Sequence, residues 1–271
     1  MQIAMLWDNI VVAVIAIIIT VIVVLIMRSN SAVVYDKVII HMTALWYATV
    51  IDIVPINTSM LDIGIGTATA LLENAPSLRS KKIKVKGVDY NKKYVAAAQK
   101  SALKHFDQTT VSVHHGSVYD VDLLKLLVAN DDVQSGGTGT LTPTPGRKTR
   151  RLGGGTLFET VYFSGSFSLM PDPIEALRIV GSDEVLAPGG AIMVTQTYQT
   201  MNVPLLGVVK PLMKFATTID FGELTFEEDV RELFVRFCQE ENFKLETHKT
   251  IDGSVDNIFQ KAYLTVLRKT R

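Results

Sequence analysis

Cysteine is almost absent from this chain: Cys238 is the only one in 271 residues. A single thiol excludes an internal disulfide framework and any zinc site built on clustered cysteines. An excess of charge of either sign is missing too, since 27 Lys and Arg face 27 Asp and Glu. A whole-protein nucleic-acid binder is normally basic, so no nucleic-acid partner is expected. Hydrophobic residues make up 48% of the chain and charged ones 20%, which excludes a wholly disordered polymer. The length suits one large domain or two small ones with a proper core. Mean hydropathy is +0.25, high for a soluble enzyme, and the surplus has one source.

That source is a stretch without charge. Residues 9–27 carry no ionisable side chain, and within 10–27 only Thr20 departs from Ala, Val, Ile, Leu and Met. As a helix, such a run spans about 28 Å, close to the hydrocarbon thickness of a bilayer. The rival reading is a cleaved signal peptide, which would need a basic start, a shorter apolar run and a small-residue cleavage site. The expectation is a transmembrane anchor within residues 1–34, with the membrane as partner through residues 10–27. Basic residues follow the run at Arg28 and Lys37 and none precedes it, which predicts a single-pass protein with its catalytic domain in the cytosol.

The rest, residues 35–271, reads as alternating strands and helices. Apolar, β-rich runs lie at Ser59–Ile63, 83–88, Val111–His115, 160–164, 191–196 and 262–267, with helical patterns at 94–105 and 226–241. In the last of these Cys238 joins Val230, Leu233, Phe234 and Phe237 on an apolar stripe, which makes it a core thiol rather than a nucleophile. Thr225 and Glu228 have the spacing of a capping box. Strands alternating with helices imply a mostly parallel sheet covered on both faces. Residues 131–155, rich in Gly, Thr and Pro, read as a flexible insertion. Its Arg147, Lys148, Arg150 and Arg151 suit either a solvated linker or contact with anionic lipid headgroups.

The chemistry concentrates where the first of these strands ends, in Asp62-Ile63-Gly64-Ile65-Gly66-Thr67-Ala68-Thr69. Glycines are needed where a ligand must approach the backbone. The third glycine of a dinucleotide fingerprint is lacking, and Asp62 would repel a pyrophosphate. A carboxylate there suits a cationic or amino-bearing ligand instead. Asp89, 23 residues after Gly66, ends the second strand in Gly87-Val88-Asp89-Tyr90-Asn91 and is placed to accept bonds from ribose hydroxyls. Asn91, or Asp89 itself, also suits the cap of the next helix. The third strand ends in Gly116-Ser117-Val118-Tyr119-Asp120, where Ser117 and Val118 would bracket an adenine. A fourth ends in Ser164-Gly165-Ser166-Phe167. Ligands of open α/β sheets sit beyond these carboxyl ends.

Together these segments resemble the class I S-adenosylmethionine-dependent methyltransferases over residues 35–271 apart from the insertion. LDIGIGTAT resembles the family's glycine-rich first motif, GVDYN its acidic second-strand motif, and Leu186-Ala187-Pro188-Gly189-Gly190 its turn before the fifth strand. The small-molecule branch, with quinone and sterol methyltransferases, is the most similar. The resemblance implies a Rossmann-like, seven-stranded, mostly parallel sheet with helices on both faces, preceded here by one transmembrane helix. It implies S-adenosyl-L-methionine as cofactor, held by Asp62, Gly64, Ile65, Gly66, Asp89, Tyr90, Ser117, Val118 and Ser164. Two positions depart from the pattern: Ala68 stands where glycine is usual, and Ser117 where an aspartate commonly bonds the adenine amine, a role Asp120 would then take.

The implied activity is methyl transfer to a small or lipid-like acceptor, with no metal. Oxygen or carbon acceptors call for a base, and His41, His114 and His115 are the candidates, although a lone histidine is more often structural. The apolar segment 201–225, with Lys210 and Lys214, suits a membrane-apposed lid or ordinary core packing with a helix at 205–216. Two alternatives stay open. One is a catalytically inactive cofactor-binding protein working through interactions at a membrane. The other is a nicotinamide-dependent oxidoreductase, which Asp62 and the missing glycine disfavour.

Overall fold

The computed structural model describes residues 40–107, 110–129, 156–201 and 225–270. The chain divides into two compact units, one of Met1–His41 with Asn202–Leu224, the other of Met42–Met201 with Thr225–Arg271. Nearly all the described residues belong to the second unit.

The described chain opens with helix α1 (His41–Ile53), all but its first residue in the second unit, then strand β1 (Ser59–Ile63), two short helices α2 (Thr69–Glu73) and α3 (Ala75–Lys81), and strand β2 (Lys84–Asp89). There follow α4 (Lys92–His105), β3 (Val111–His115), α5 (Val121–Ala129), β4 (Phe158–Ser164), a 3-10 turn at Phe167–Leu169, and α6 (Pro173–Gly181). The chain closes with β5 (Leu186–Gln199), α7 (Glu227–Glu240), β6 (Phe243–Thr250) and β7 (Gln260–Lys269). One sheet holds all seven strands in the order β3-β2-β1-β4-β5-β7-β6. β1 to β5 pair in parallel, while β7 runs antiparallel to both of its neighbours. The sheet is therefore mixed, Rossmann-like in its parallel part.

Strand alternation assigns the two faces. Leu61, Ile63, Val161, Phe163, Ile192 and Val194 pack into one core with Leu124 and Leu127 of α5, Leu177 of α6, and Phe234 and Phe237 of α7. Cys238 lies against this core, half-buried, and burial pushes its thiol up to about 11. Asp62, between Leu61 and Ile63, points to the opposite face, where α1 packs.

Three expectations change here. No helix among the described residues is long and apolar enough to cross a membrane. The run 10–27 lies outside them, so the seven-stranded fold stands without the transmembrane helix expected ahead of it. The membrane partner inferred from that run likewise finds no support among the described residues. Second, α7 starts without the capping box. Its N-cap is Phe226, with no side-chain capping bond. The reason is that β5 holds the preceding backbone: the Gln199 amide donates to the Thr225 carbonyl at 3.0 Å, and Phe226 bridges to Gln199. Third, β6 adds a strand that hydrophobic patterning does not show. It is an edge strand whose register shifts between Leu245 and Thr247, which breaks the alternation. The insertion at 131–155 and all of the 201–225 segment but its two end residues lie outside the described residues.

Candidate cofactor site

The sheet order reverses between β1 and β4, one connection leading outward to β2 and β3 and the other to β5. At such a switch point the loops after the strands diverge and leave a crevice. The turns after β1 and β4 are tied to the neighbouring strands through four hydrogen bonds. The Gly64 amide donates to the Val88 carbonyl at 2.8 Å, and the Ile65 amide to the same oxygen at 3.3 Å. The Gly165 amide donates to Thr195 O at 2.8 Å, and the Ser166 hydroxyl donates to Ile63 O.

Glycine is required in the first loop for two different reasons. Gly64 has φ +77°, and a Cβ there would stand 2.5 Å from Ser166 Cβ. Gly66 has φ +60°, but a Cβ there would meet no atom within 4 Å. The first glycine lets two loops touch; the second faces open space. Ala68, where the resembled pattern has glycine, also takes a left-handed φ of 59°, a conformation that costs a Cβ-bearing residue about 1–2 kcal/mol.

Asp89 organises the floor. It is 6% exposed. Its Oδ2 accepts from the Gly66 amide at 2.9 Å and its Oδ1 from the Asn91 amide at 2.8 Å. The carboxylate is thereby fixed at the carboxyl tip of β2, with a second lone pair on each oxygen still available. Asn91 is the helix cap: its Oδ1 accepts from the amides of Lys93 and Tyr94. Tyr90 is 77% exposed beside it. From β3, the Gly116 amide donates to Asp89 O at 3.0 Å, which brings Ser117 up to the same edge. Ser117 accepts from the Tyr119 amide, and Val118 turns into the core at 3% exposure. Asp120 caps α5, its Oδ1 accepting from the Leu123 amide at 3.0 Å.

Asp62 is fully buried, at 0% exposure. Its Oδ2 accepts from the Tyr47 hydroxyl of α1 at 2.7 Å, and its Oδ1 has no hydrogen-bond partner. Burial, above all, pushes the Asp62 carboxyl up to about 7; the Tyr47 bond pulls it down and the charge of Asp89 adds to the rise. The Tyr47 ring sits edge-on to Tyr162 of β4, centroids 5.1 Å apart, and the Tyr162 hydroxyl bonds Thr195 Oγ1 at 2.7 Å. Burial holds both tyrosines well above the usual phenol range. Ser164 Oγ, at the end of β4, is a second buried oxygen without a geometric partner.

The histidine candidates do not join this group. His41 is exposed at the start of α1. The His115 ring bonds the Tyr90 carbonyl at 3.0 Å. His114 bonds Ser112 Oγ at 3.0 Å, and burial, helped by Lys86, depresses it to about 4. Among the described residues no cluster of His, Cys, Asp or Glu is placed to hold a metal. Tyr47 and Ser166 are site residues that the sequence reading missed. The signal for Tyr47 was the helical spacing of Ala44, Tyr47, Val50 and Ile51, all buried.

No family model matches the chain. No curated protein does either. Solved structures do. A SAM-dependent methyltransferase from Aquifex aeolicus superposes with TM-score 0.53 at 11% identity, over 89% of this chain and 98% of that one. A SAM-dependent methyltransferase from Geobacter sulfurreducens, in complex with S-adenosyl-L-homocysteine, gives 0.51 at 13% identity, over 83% and 89%. Geranyl diphosphate C-methyltransferase from Streptomyces coelicolor A3(2) gives 0.52 at 10% identity, over 83% and 77%. At these identities the likeness shows the fold, which is that of the class I S-adenosylmethionine-dependent methyltransferases.

Proposed function

We propose that the protein is an S-adenosylmethionine-dependent methyltransferase acting on a small-molecule acceptor. Fold alone does not assign chemistry, so the reading rests on the site. The observation that carries it is the pair of acidic groups at the switch point. Asp89 is fixed at the tip of β2, where ribose hydroxyls are read, and Asp62 keeps one buried oxygen free at the tip of β1.

These residues fit the cofactor. Asp62 Oδ1 is an acceptor that lacks a donor, which the cofactor's ammonium supplies. Gly66 leaves open space at the turn. Asp89 retains lone pairs for two hydroxyls. A pyrophosphate would instead meet two carboxylates, which disfavours a dinucleotide. Tyr90, Ser117, Val118 and Ser164 complete the proposed cofactor set at the ends of β2, β3 and β4.

When bound, the cofactor supplies an electrophilic sulfonium methyl group for in-line attack. The chain's own contribution is positioning: Asp62 holds the amino end of the ligand and Asp89 its ribose. Orientation of this kind lowers a barrier by several kcal/mol. None of the three histidine candidates is placed beside Asp62, and an acceptor that is already nucleophilic needs no fixed base. The small-molecule acceptor is supported by relatives of this fold such as the geranyl diphosphate enzyme.

The test is isothermal calorimetry on the full chain with S-adenosylmethionine, expected to give a dissociation constant on the order of micromolar, about −8 kcal/mol. No heat with this ligand and a clear response to a nicotinamide dinucleotide would overturn the assignment.

A further inference from the structure

The Tyr47–Asp62 pair has an electrostatic consequence beyond cofactor binding itself. The two residues lie 15 positions apart in sequence and on different elements, α1 and β1, yet their oxygens are 2.7 Å apart in a fully buried setting. One oxygen of Asp62 is taken by Tyr47, and the other faces no donor. The titratable groups around it are Tyr47 of α1, Tyr162 of β4 and Asp89 of β2. Two are phenols and the third is an acid, so none supplies positive charge. An ionised carboxylate buried with a single hydroxyl donor is costly.

We infer that Tyr47 is a positioning residue for the cofactor, and that the ammonium group it directs to Asp62 Oδ1 displaces a proton from the Asp62 carboxyl. The inference rests on the cofactor reading above and adds proton coupling to it. The balance is simple. A neutral carboxylic acid and an ammonium cation enter; a carboxylate–ammonium pair forms; one proton leaves to the solvent. No covalent bond to carbon is made or broken. Burial, which pushes the Asp62 carboxyl up to about 7, agrees with a site that holds its proton at mildly acid pH before the ligand arrives.

Tyr47 has a defined part in this. By occupying Oδ2 it leaves Oδ1 as the acceptor presented to the ligand. By donating to the carboxylate it also favours the ionised form. Loss of the hydroxyl therefore weakens ammonium binding and moves the proton exchange to higher pH, while the ring stays in its edge contact with Tyr162.

The experiment is calorimetry on the full chain with S-adenosylhomocysteine, which carries the ammonium, and with 5′-methylthioadenosine, which lacks it. Each titration is run at pH 6 and pH 8 in two buffers of unlike ionisation enthalpy, so that protons released are counted directly. For S-adenosylhomocysteine we expect release close to one proton per site at pH 6, little at pH 8, and affinity rising roughly tenfold between pH 6 and pH 8. For methylthioadenosine we expect no proton release and no change in affinity. Tyr47→Phe should weaken S-adenosylhomocysteine about tenfold and leave methylthioadenosine unchanged, an asymmetry that a merely structural role would not produce. Absence of proton release with S-adenosylhomocysteine at pH 6 overturns the inference and leaves the cofactor reading intact. So does equal weakening of both ligands in Tyr47→Phe. If neither ligand binds the parent chain, the cofactor reading itself fails and the inference falls with it.

Discussion

The Gly66 amide donates to Asp89 Oδ2 across 2.9 Å, tying the glycine-rich turn after β1 to the acidic tip of β2. The same carboxylate accepts from the Asn91 amide at the start of α4. One side chain thus fixes the turn, the strand tip and the helix entry.

Asp89→Asn is the sharpest probe of that arrangement. An amide has one oxygen and one NH2, but both positions around residue 89 are backbone donors. Whichever way the amide turns, its NH2 opposes an N–H, so one hydrogen bond becomes a repulsive contact. We expect a loss of about 1–3 kcal/mol in unfolding free energy, measured by urea denaturation, together with weaker cofactor binding. Asp89→Ala should cost the cofactor about 1.5–3 kcal/mol through lost charge-assisted bonds. Unchanged affinity in both variants would remove Asp89 from the site.

Gly64→Ala and Gly66→Ala should separate stability from binding. Both glycines hold a left-handed φ, which costs alanine about 1–2 kcal/mol. Only at residue 64 does the new Cβ also meet Ser166, 2.5 Å away. Gly64→Ala is therefore expected to be the more destabilised of the two by thermal denaturation. Gly66→Ala should stay folded and lose cofactor affinity instead, because its methyl enters open space at the turn. Equal melting temperatures would contradict the close loop contact.

Much of this framework was legible in the sequence. β1 and β3 run over the ranges their apolar patterns predict, and the glycine turn and Asp89 gather at the sheet edge because parallel strands end on one side. β6 was not legible, since its polar outer face and register shift erase the period-2 pattern. Nor was the capping of α7, because the long-range pairing of Gln199 with Thr225 overrides a local motif. The Tyr47–Asp62 bond depends on which face of the sheet α1 covers, and no local pattern carries that.

His114 should make the protein sensitive to acid. Its folded value, near 4, lies below the ordinary 6.5 because burial disfavours the charged ring. Its contribution to stability is therefore complete above pH 6.5 and is lost as pH falls toward 4. The loss has an upper bound of about 3 kcal/mol over that window. Urea denaturation at pH 7, 5.5 and 4.5 checks it: His114→Gln should flatten the decline relative to the parent.

Asp62 carries the opposite sign. Its folded value is raised to about 7 from 3.8, so the folded state keeps a proton that the unfolded chain releases. Its favourable contribution is complete below pH 3.8 and is lost as pH rises through 7. Asp62→Asn removes the titration while keeping the shape and the Tyr47 bond. The stability difference between variant and parent should therefore move in favour of the asparagine by a few kcal/mol, on the order of one per pH unit, between pH 4 and pH 7. Comparing the two chains at each pH cancels the His114 effect. The same variant should bind cofactor poorly, because an amide cannot form the carboxylate–ammonium pair. A pH-independent difference in unfolding free energy would show that Asp62 is ionised throughout in the free protein. A buried acid that lowers stability at neutral pH is kept, on this account, for the ligand that neutralises it.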